Sequence, residues 1–287
     1  IWFVCNDFNA AQTDFMYGTL PMGIEEQVTI WGYKATGALG NMIFRKYTII
    51  NKNKDKKTFQ DMYVSMWTDS DNGDAGDDFN GCDVNLSLFY TYNALANDGQ
   101  YGNTPPATGF DFFQGPIVKG DATDKAIFKG KYRTGYKNLP MTAHYFFIRG
   151  DATWGDPPQG VSQGAIEFYN LFQGKVGRTG LPFPDPVTGQ GTAFALSGDP
   201  VAGTGWIDGM LHAPGDRRNG AASGPFNMAY GDTQEVVLAE IAAGAEPGID
   251  RLGAVALLKF YDAQAQVVFD NFFNVPTAPD IPKTIAS

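Results

Sequence analysis

Between Trp67 and Asp83 the chain reads WTDSDNGDAGDDFNGCD, which places six aspartates in seventeen positions with no lysine or arginine among them. Carboxylates confined to so short a segment repel one another unless a cation, basic neighbours or bulk water intervene. Calcium is the natural cation here, because it takes roughly six to eight oxygen ligands and accepts carboxylates, amide carbonyls and backbone carbonyls from a flexible loop. The expected cofactor is therefore Ca2+, held by Asp69, Asp71, Asp74, Asp77 and Asp78, with Asp83 or backbone carbonyls completing the shell. The spacing is not that of an EF-hand. Counted from Asp69, the glycine position is Asp74, and the position that should hold a bidentate glutamate is Asn80. Magnesium retains its waters and needs fewer protein oxygens, and a transition metal would call on His144 or His212, both remote in sequence.

Other stretches resemble chemistry more weakly. Gly160-Val161-Ser162-Gln163-Gly164 matches the nucleophile-elbow pattern, but an elbow needs a buried strand just before it and TWGDPPQ cannot form one. Arg149-Gly150-Asp151 and the sequon Asn85-Leu86-Ser87 are short matches that carry little weight, the sequon falling in an expected strand. No pair of glutamates or aspartates stands out as an acid and base for glycoside hydrolysis. Trp154, Trp206, Tyr101 and Phe112 lie in long loops and are candidates for stacking on sugar rings, against the commoner fate of aromatic side chains, which is core packing. Cys5 and Cys82 are compatible with one disulfide, which would tie the N-terminal strand to the acidic loop, and equally with two buried thiols.

The elements that must position these residues are mostly strands. Gln27 to Tyr33, Asn41 to Ile50, Phe59 to Trp67 and Val84 to Asn93 have strand composition, and the last two alternate. In the third, Met62, Val64 and Met66 fall on one face and Tyr63, Ser65 and Trp67 on the other. The aspartates thus fall in a loop of residues 68 to 83 within a meander spanning about 41 to 93. Residues 94 to 215 are rich in Gly, Pro and Asn, with strands at Met141 to Arg149 and Thr192 to Ser197; long loops of this kind bind something or pack over the body of a domain. Residues 224 to 244 predict strand, turn and strand. After Asp250, a good N-cap, apolar residues at steps of three or four from Leu252 to Phe272 predict one amphipathic helix over 251–273.

Composition agrees with this pattern. At 43% hydrophobic and 14% aromatic the chain can bury a large core, and 35 glycines with 17 prolines favour short strands and elaborate turns over a helical bundle. The expected fold is mostly β, a large β-sandwich of residues 1–275 with Gly/Pro-rich loop insertions around 94–215 and one C-terminal amphipathic helix. A Pro-rich linker, 276–287, would lead to a further domain. The net charge of −10 argues against nucleic acid or an anionic membrane as partner, and no apolar run is long enough to span a bilayer. The chain opens on Ile1 and shows no signal peptide, as a processed or excerpted segment would.

The succession NMIFRKYTIINKNK, DMYVSMWTDSDNGDAGDDFNGCDVNLSLFYTYN, DGQYGNTPPATGFDFFQGP, SGPFNMAYGDTQEVV and AQAQVVFDNFF resembles the N-terminal region of large secreted surface proteins of the Bacteroidota and Chlorobi group. The likeness covers most of the chain and is most specific from Trp67 to Asp83, at Tyr90-Thr91-Tyr92-Asn93 and at Gln114-Gly115-Pro116. It implies export, with type IX secretion as the route, an extracellular or cell-surface address and a modular neighbour. It implies no catalytic residue. The expected function is that of an extracellular structural or binding protein stabilised by calcium, whose partners are copies of itself, joined through strand edges, or other surface proteins. The alternative is carbohydrate binding or processing through the loop aromatics.

Overall fold

The computed structural model describes residues 1–274. The expected linker 276–287, and with it the boundary at 275, lies outside the described residues. Elements are numbered in chain order. An antiparallel seven-stranded sheet runs β1 (Trp2–Asn6), β2 (Ile24–Trp31), β3 (Met42–Asn51), β16 (Thr233–Ala243), β7 (Ala107–Gln114), β6 (Leu88–Asn93) and β5 (Asp78–Asp83). Against it lies a three-stranded antiparallel sheet, β12 (Ala143–Ile148), β15 (Arg217–Met228) and β4 (Phe59–Thr68). Two-stranded ribbons pair β8 (Ile117–Lys119) with β11 (Tyr136–Asn138), β9 (Lys125–Phe128) with β10 (Lys131–Thr134), and β13 (Phe183–Pro184) with β14 (Gly191–Thr192). The helices are α1 (Ser162–Phe172) and α2 (Arg251–Asp270). The fold is the mostly-β sandwich expected.

The central strands of the large sheet, β16, β7 and β6, are buried on both faces, and side-chain alternation decides which residue serves which face. Leu88, Tyr90, Tyr92, Val237, Ala239, Ile241 and Phe113 pack against Val255, Leu258, Ala265 and Phe269 of α2. Their neighbours Phe89, Phe110, Phe112, Val236 and Leu238 meet Met62, Val64, Met66, Ala221 and Phe226 of the small sheet. Gly109 makes the close helix contact possible: a Cβ there would lie 2.9 Å from Leu258 Cδ2. Asp250 caps α2 by accepting from the amides of Leu252 and Gly253, and the helix ends at Asp270 rather than 273. A fourth layer, made of α1 and the insertion 149–216, covers the outer face and the β12 edge of the small sheet. There Trp154, Phe183 and Trp206 surround Phe146 at centroid distances of 5.3, 6.2 and 6.5 Å.

Several expectations change. The segment 41–93 is not a meander, because β3 belongs to the large sheet, β4 to the small one and β5 to the large one again. The last part of the acidic stretch is not loop: residues 78–83 form β5, and a turn at 84–87 leads into β6, so the sequon residue Asn85 is exposed in a turn rather than held in a strand. The strand expected at Thr192 to Ser197 shrinks to Gly191–Thr192. The helix α1 was masked in sequence by the glycines around it, and Ser162 is its first residue, not a strand-to-helix nucleophile. His144 is fully buried with Nδ1 2.6 Å from the Ala195 carbonyl oxygen, and burial pushes its pKa down to about 4.

The cysteines are both free, Cys5 exposed and Cys82 buried. They stand on β1 and β5, the two edges of the seven-stranded sheet. At about 4.8 Å per strand the separation is roughly 29 Å, whereas a disulfide needs Cα atoms within about 7 Å. Burial and the neighbouring Asp83 push the Cys82 thiol up, which keeps it protonated.

Candidate functional site

The aspartates of the 69–83 run separate into groups with different fates. Asp74 accepts from the Gly76 amide at 2.8 Å and caps the single 3-10 turn at Ala75–Asp77, while its own amide donates to Asp98 at 2.9 Å. Asp77 receives Asn93 Nδ2 on both oxygens at 3.0 Å. These two carboxylates brace the loop. The loop is held further by Asn72, which donates to the Thr91 carbonyl at 2.8 Å and accepts from Thr108 at 3.0 Å. Asp83, at the opposite end of β5, pairs with Lys259 of α2 at 3.0 Å. Five residue steps along the strand separate it from Asp78, about 17 Å. The expected ligand set of Asp69, Asp71, Asp74, Asp77, Asp78 and Asp83 therefore does not converge on one point.

What converges instead is Asp69, Asp71 and Asp216, each offering a carboxylate oxygen within 4.8 Å of the others. Asp216 comes from the turn before β15 and is distant in sequence, so a scan of local acidic runs could not have found it. Arg218 faces this group, 3.2 Å from Asp69, 3.0 Å from Asp216 and 3.6 Å from Asp156. Next to it Asp78 is fully buried, and neither of its carboxylate oxygens has a hydrogen-bond partner. Burial, aided by the like charges of Asp77, Asp71 and Asp216 and opposed by the Asn72 amide, raises its pKa to about 8.

A groove of about 880 Å³ opens on the outer face of the small sheet. Its floor is β4 and its walls are α1 and the segment around Tyr17. Trp67 and Tyr169 are each 42% exposed there. Trp67 stacks one face near Phe147, with centroids 6.5 Å apart and planes at 19°. Tyr169 sits edge-on to Tyr63 at 5.7 Å and donates its hydroxyl to the Asp61 carbonyl at 2.8 Å, which fixes both rings. Polar side chains (Asp61, Gln159, Asp156 and Arg218) share the lining, and Asp69 belongs both to the groove and to the acidic group.

The loop aromatics expected to stack on sugars are placed otherwise. Trp206 and Phe112 are buried in two different cores, because each lies where an insertion or strand folds back on the sandwich. Trp154 packs on Phe146 and Phe183, and Tyr101 is exposed but stands outside the groove. Two of the groove aromatics, Tyr63 and Trp67, were visible in the alternation of β4 on its outward face, whereas Tyr169 stands on α1, which the sequence pattern did not reveal. The missing information was that this outward face is left partly uncovered.

Compared with known protein families and with curated proteins, the sequence matches none. Among the described residues no helix is long and apolar enough to cross a membrane.

Proposed function

We propose that the protein is an extracellular or cell-surface binding module whose ligand is an extended glycan, held in the groove along β4. The observation that carries this reading is the pairing of half-exposed, rigidly held aromatic faces with planar polar side chains in one elongated groove. Sugar rings present an apolar face that stacks on indole and phenol rings, and hydroxyl edges that bond to carboxylates, amides and guanidinium groups. Trp67 and Tyr169 supply the first, and Asp61, Gln159, Asp156 and Arg218 the second. The acidic surface, with a net charge of −10, favours neutral over acidic glycans.

A glycan array followed by calorimetry on the best oligosaccharide tests the reading. Trp67→Ala is expected to weaken binding by about tenfold or more, while Trp2→Ala, which removes a more exposed indole outside the groove, should leave it unchanged. Absence of binding to any oligosaccharide, or binding indifferent to Trp67→Ala, would overturn it.

A second reading, structural self-assembly, is favoured by β1. All five of its residues are exposed, Trp2, Phe3 and Val4 among them, and one edge of the strand has no neighbour among the described residues. Such an edge is a template for an added strand. Sedimentation at rising protein concentration measures it directly, and a species that stays monomeric at every concentration removes it.

A further inference from the structure

We propose that Asp69, Asp71 and Asp216, backed by Asp78, form a binding site for one divalent cation, calcium being the ion that suits it. The inference stands apart from the glycan reading, although Asp69 touches both sites.

Three observations carry it. The first is spacing. Oxygens that coordinate a calcium ion lie about 2.4 Å from it, so neighbouring and opposite ligands stand roughly 3.4 to 4.8 Å apart. The oxygens of Asp69, Asp71 and Asp216 lie within 4.8 Å of one another, no farther apart than ligands of a single ion.

The second is Asp78, a buried carboxylate whose two oxygens lack any hydrogen-bond partner. A buried polar group without a partner is costly and calls for an explanation. Its direction supplies one. Asp78 has the same strand parity as Asn80, whose Nδ2 reaches the Arg218 carbonyl at 3.4 Å, so both side chains leave β5 toward the start of β15. Beside that start sits Asp216, and the backbone amide of Gly215 donates to the Asp78 carbonyl at 3.5 Å.

The third is charge balance. Arg218 is shared among Asp69, Asp156 and Asp216, and neither Asp71 nor Asp78 enters its ion pairs. One guanidinium cannot neutralise five carboxylates, and a divalent ion added to it would offset most of the remaining charge. Calcium is preferred to magnesium because the site offers several carboxylates from a loop, while magnesium keeps most of its water. The ligands come from the connection that follows β4 and from the entry to β15, so the ion would tie together one end of the small sheet, with Asp78 at the start of β5 behind it.

The test uses the full chain, stripped with EDTA and titrated with CaCl2 or MgCl2 while thermal midpoints and heats are recorded. A ligand that binds only the folded form raises the midpoint by mass action. Calcium should raise it progressively and magnesium far less. Asp71→Asn and Asp216→Asn should weaken calcium by roughly ten- to a hundredfold, while Asp83→Asn should keep the full response. Asp78→Asn gives a signature that a merely structural role would not: a higher midpoint in EDTA together with a reduced calcium increment. A wild-type midpoint indifferent to millimolar calcium, or a calcium response that survives Asp216→Asn, would overturn the site. Equal responses to the two ions would overturn the assignment to calcium.

Discussion

Asp208 and Asp111 are both buried, and the molecule neutralises them in different ways. Asp208 lies where the insertion folds back toward the start of β15, and Arg217 meets it with both oxygens engaged, at 3.1 and 3.2 Å. Both side chains are at most 2% exposed. Asp208 also accepts the Asn80 amide at 2.9 Å, and Arg217 donates to the Ala213 carbonyl at 2.5 Å, so each member of the pair has a further partner. Asp111 lies between β7 and α2, where its neighbour is another carboxyl, Asp262. Burial pushes both upward, Asp262 to about 7, and the like charge of Asp262 raises Asp111 further, so the pair retains a proton at neutral pH. A countercharge serves one site and a shared proton the other. Asp78 has neither, so only a proton of its own or the proposed cation can offset its charge.

The arginine-paired site should be the most sensitive. Arg217→Met removes the countercharge and leaves Asp208 buried, at an expected cost of about 3–5 kcal/mol. Chemical denaturation at neutral pH measures it. Replacing both partners by apolar residues should recover most of the loss, because the desolvation penalty disappears with the pair. If the double variant were as unstable as the single one, packing around Arg217 rather than charge would account for its cost.

The proton-sharing site should respond to pH. An aspartate whose folded pKa is raised above its unfolded value contributes stability that is complete below the unfolded pKa, about 3.9. That stability is lost as pH rises toward the folded value, for Asp262 about 7, with Asp83 adding to the shift. Wild-type stability should therefore fall between pH 4 and 7. Asp262→Asn keeps shape and a hydrogen bond to Asp111 but removes one titration. It should flatten the fall and gain about 1–3 kcal/mol over wild type at pH 8, with little gain at pH 4. Parallel pH profiles for variant and wild type would mean that the pair does not hold the proton.

How much of this was legible in the sequence follows from the range of the interactions involved. The outward and inward faces of β4, the N-cap at Asp250 and the acidic crowding from Asp69 to Asp78 depend on neighbours a few residues apart, and all were readable. Partnerships of Asp216 with Asp69, of Asp111 with Asp262 and of Asp208 with Arg217 depend on which strands become neighbours. Alternation does not encode that, and the switch of sheets between β3, β4 and β5 hid it. The aromatics show the same division. Periodicity reveals which way Trp67 points, whereas Trp206 is taken into a core by a loop closure that no local pattern announces.

Asp83 marks the weak end of the comparison. It belongs to the same acidic run as Asp78 and lies on the same strand, but its parity is opposite, so it faces α2 rather than the small sheet. There it meets Lys259, whose ammonium also lies 3.6 Å from Asp199 and 5.8 Å from the centre of the Tyr90 ring. The two side chains of the pair remain 18% and 22% exposed, so water screens the attraction. Because Lys259 keeps its other two partners, Asp83→Asn should cost about 0.2–1 kcal/mol, and the cost should shrink in 1 M salt. Asp78→Asn, without calcium, should carry the opposite sign, since it removes a buried carboxyl that ionises only at a cost instead of a solvated pair. If both substitutions destabilised the calcium-free protein to the same extent, the distinction between the two faces of β5 would fail.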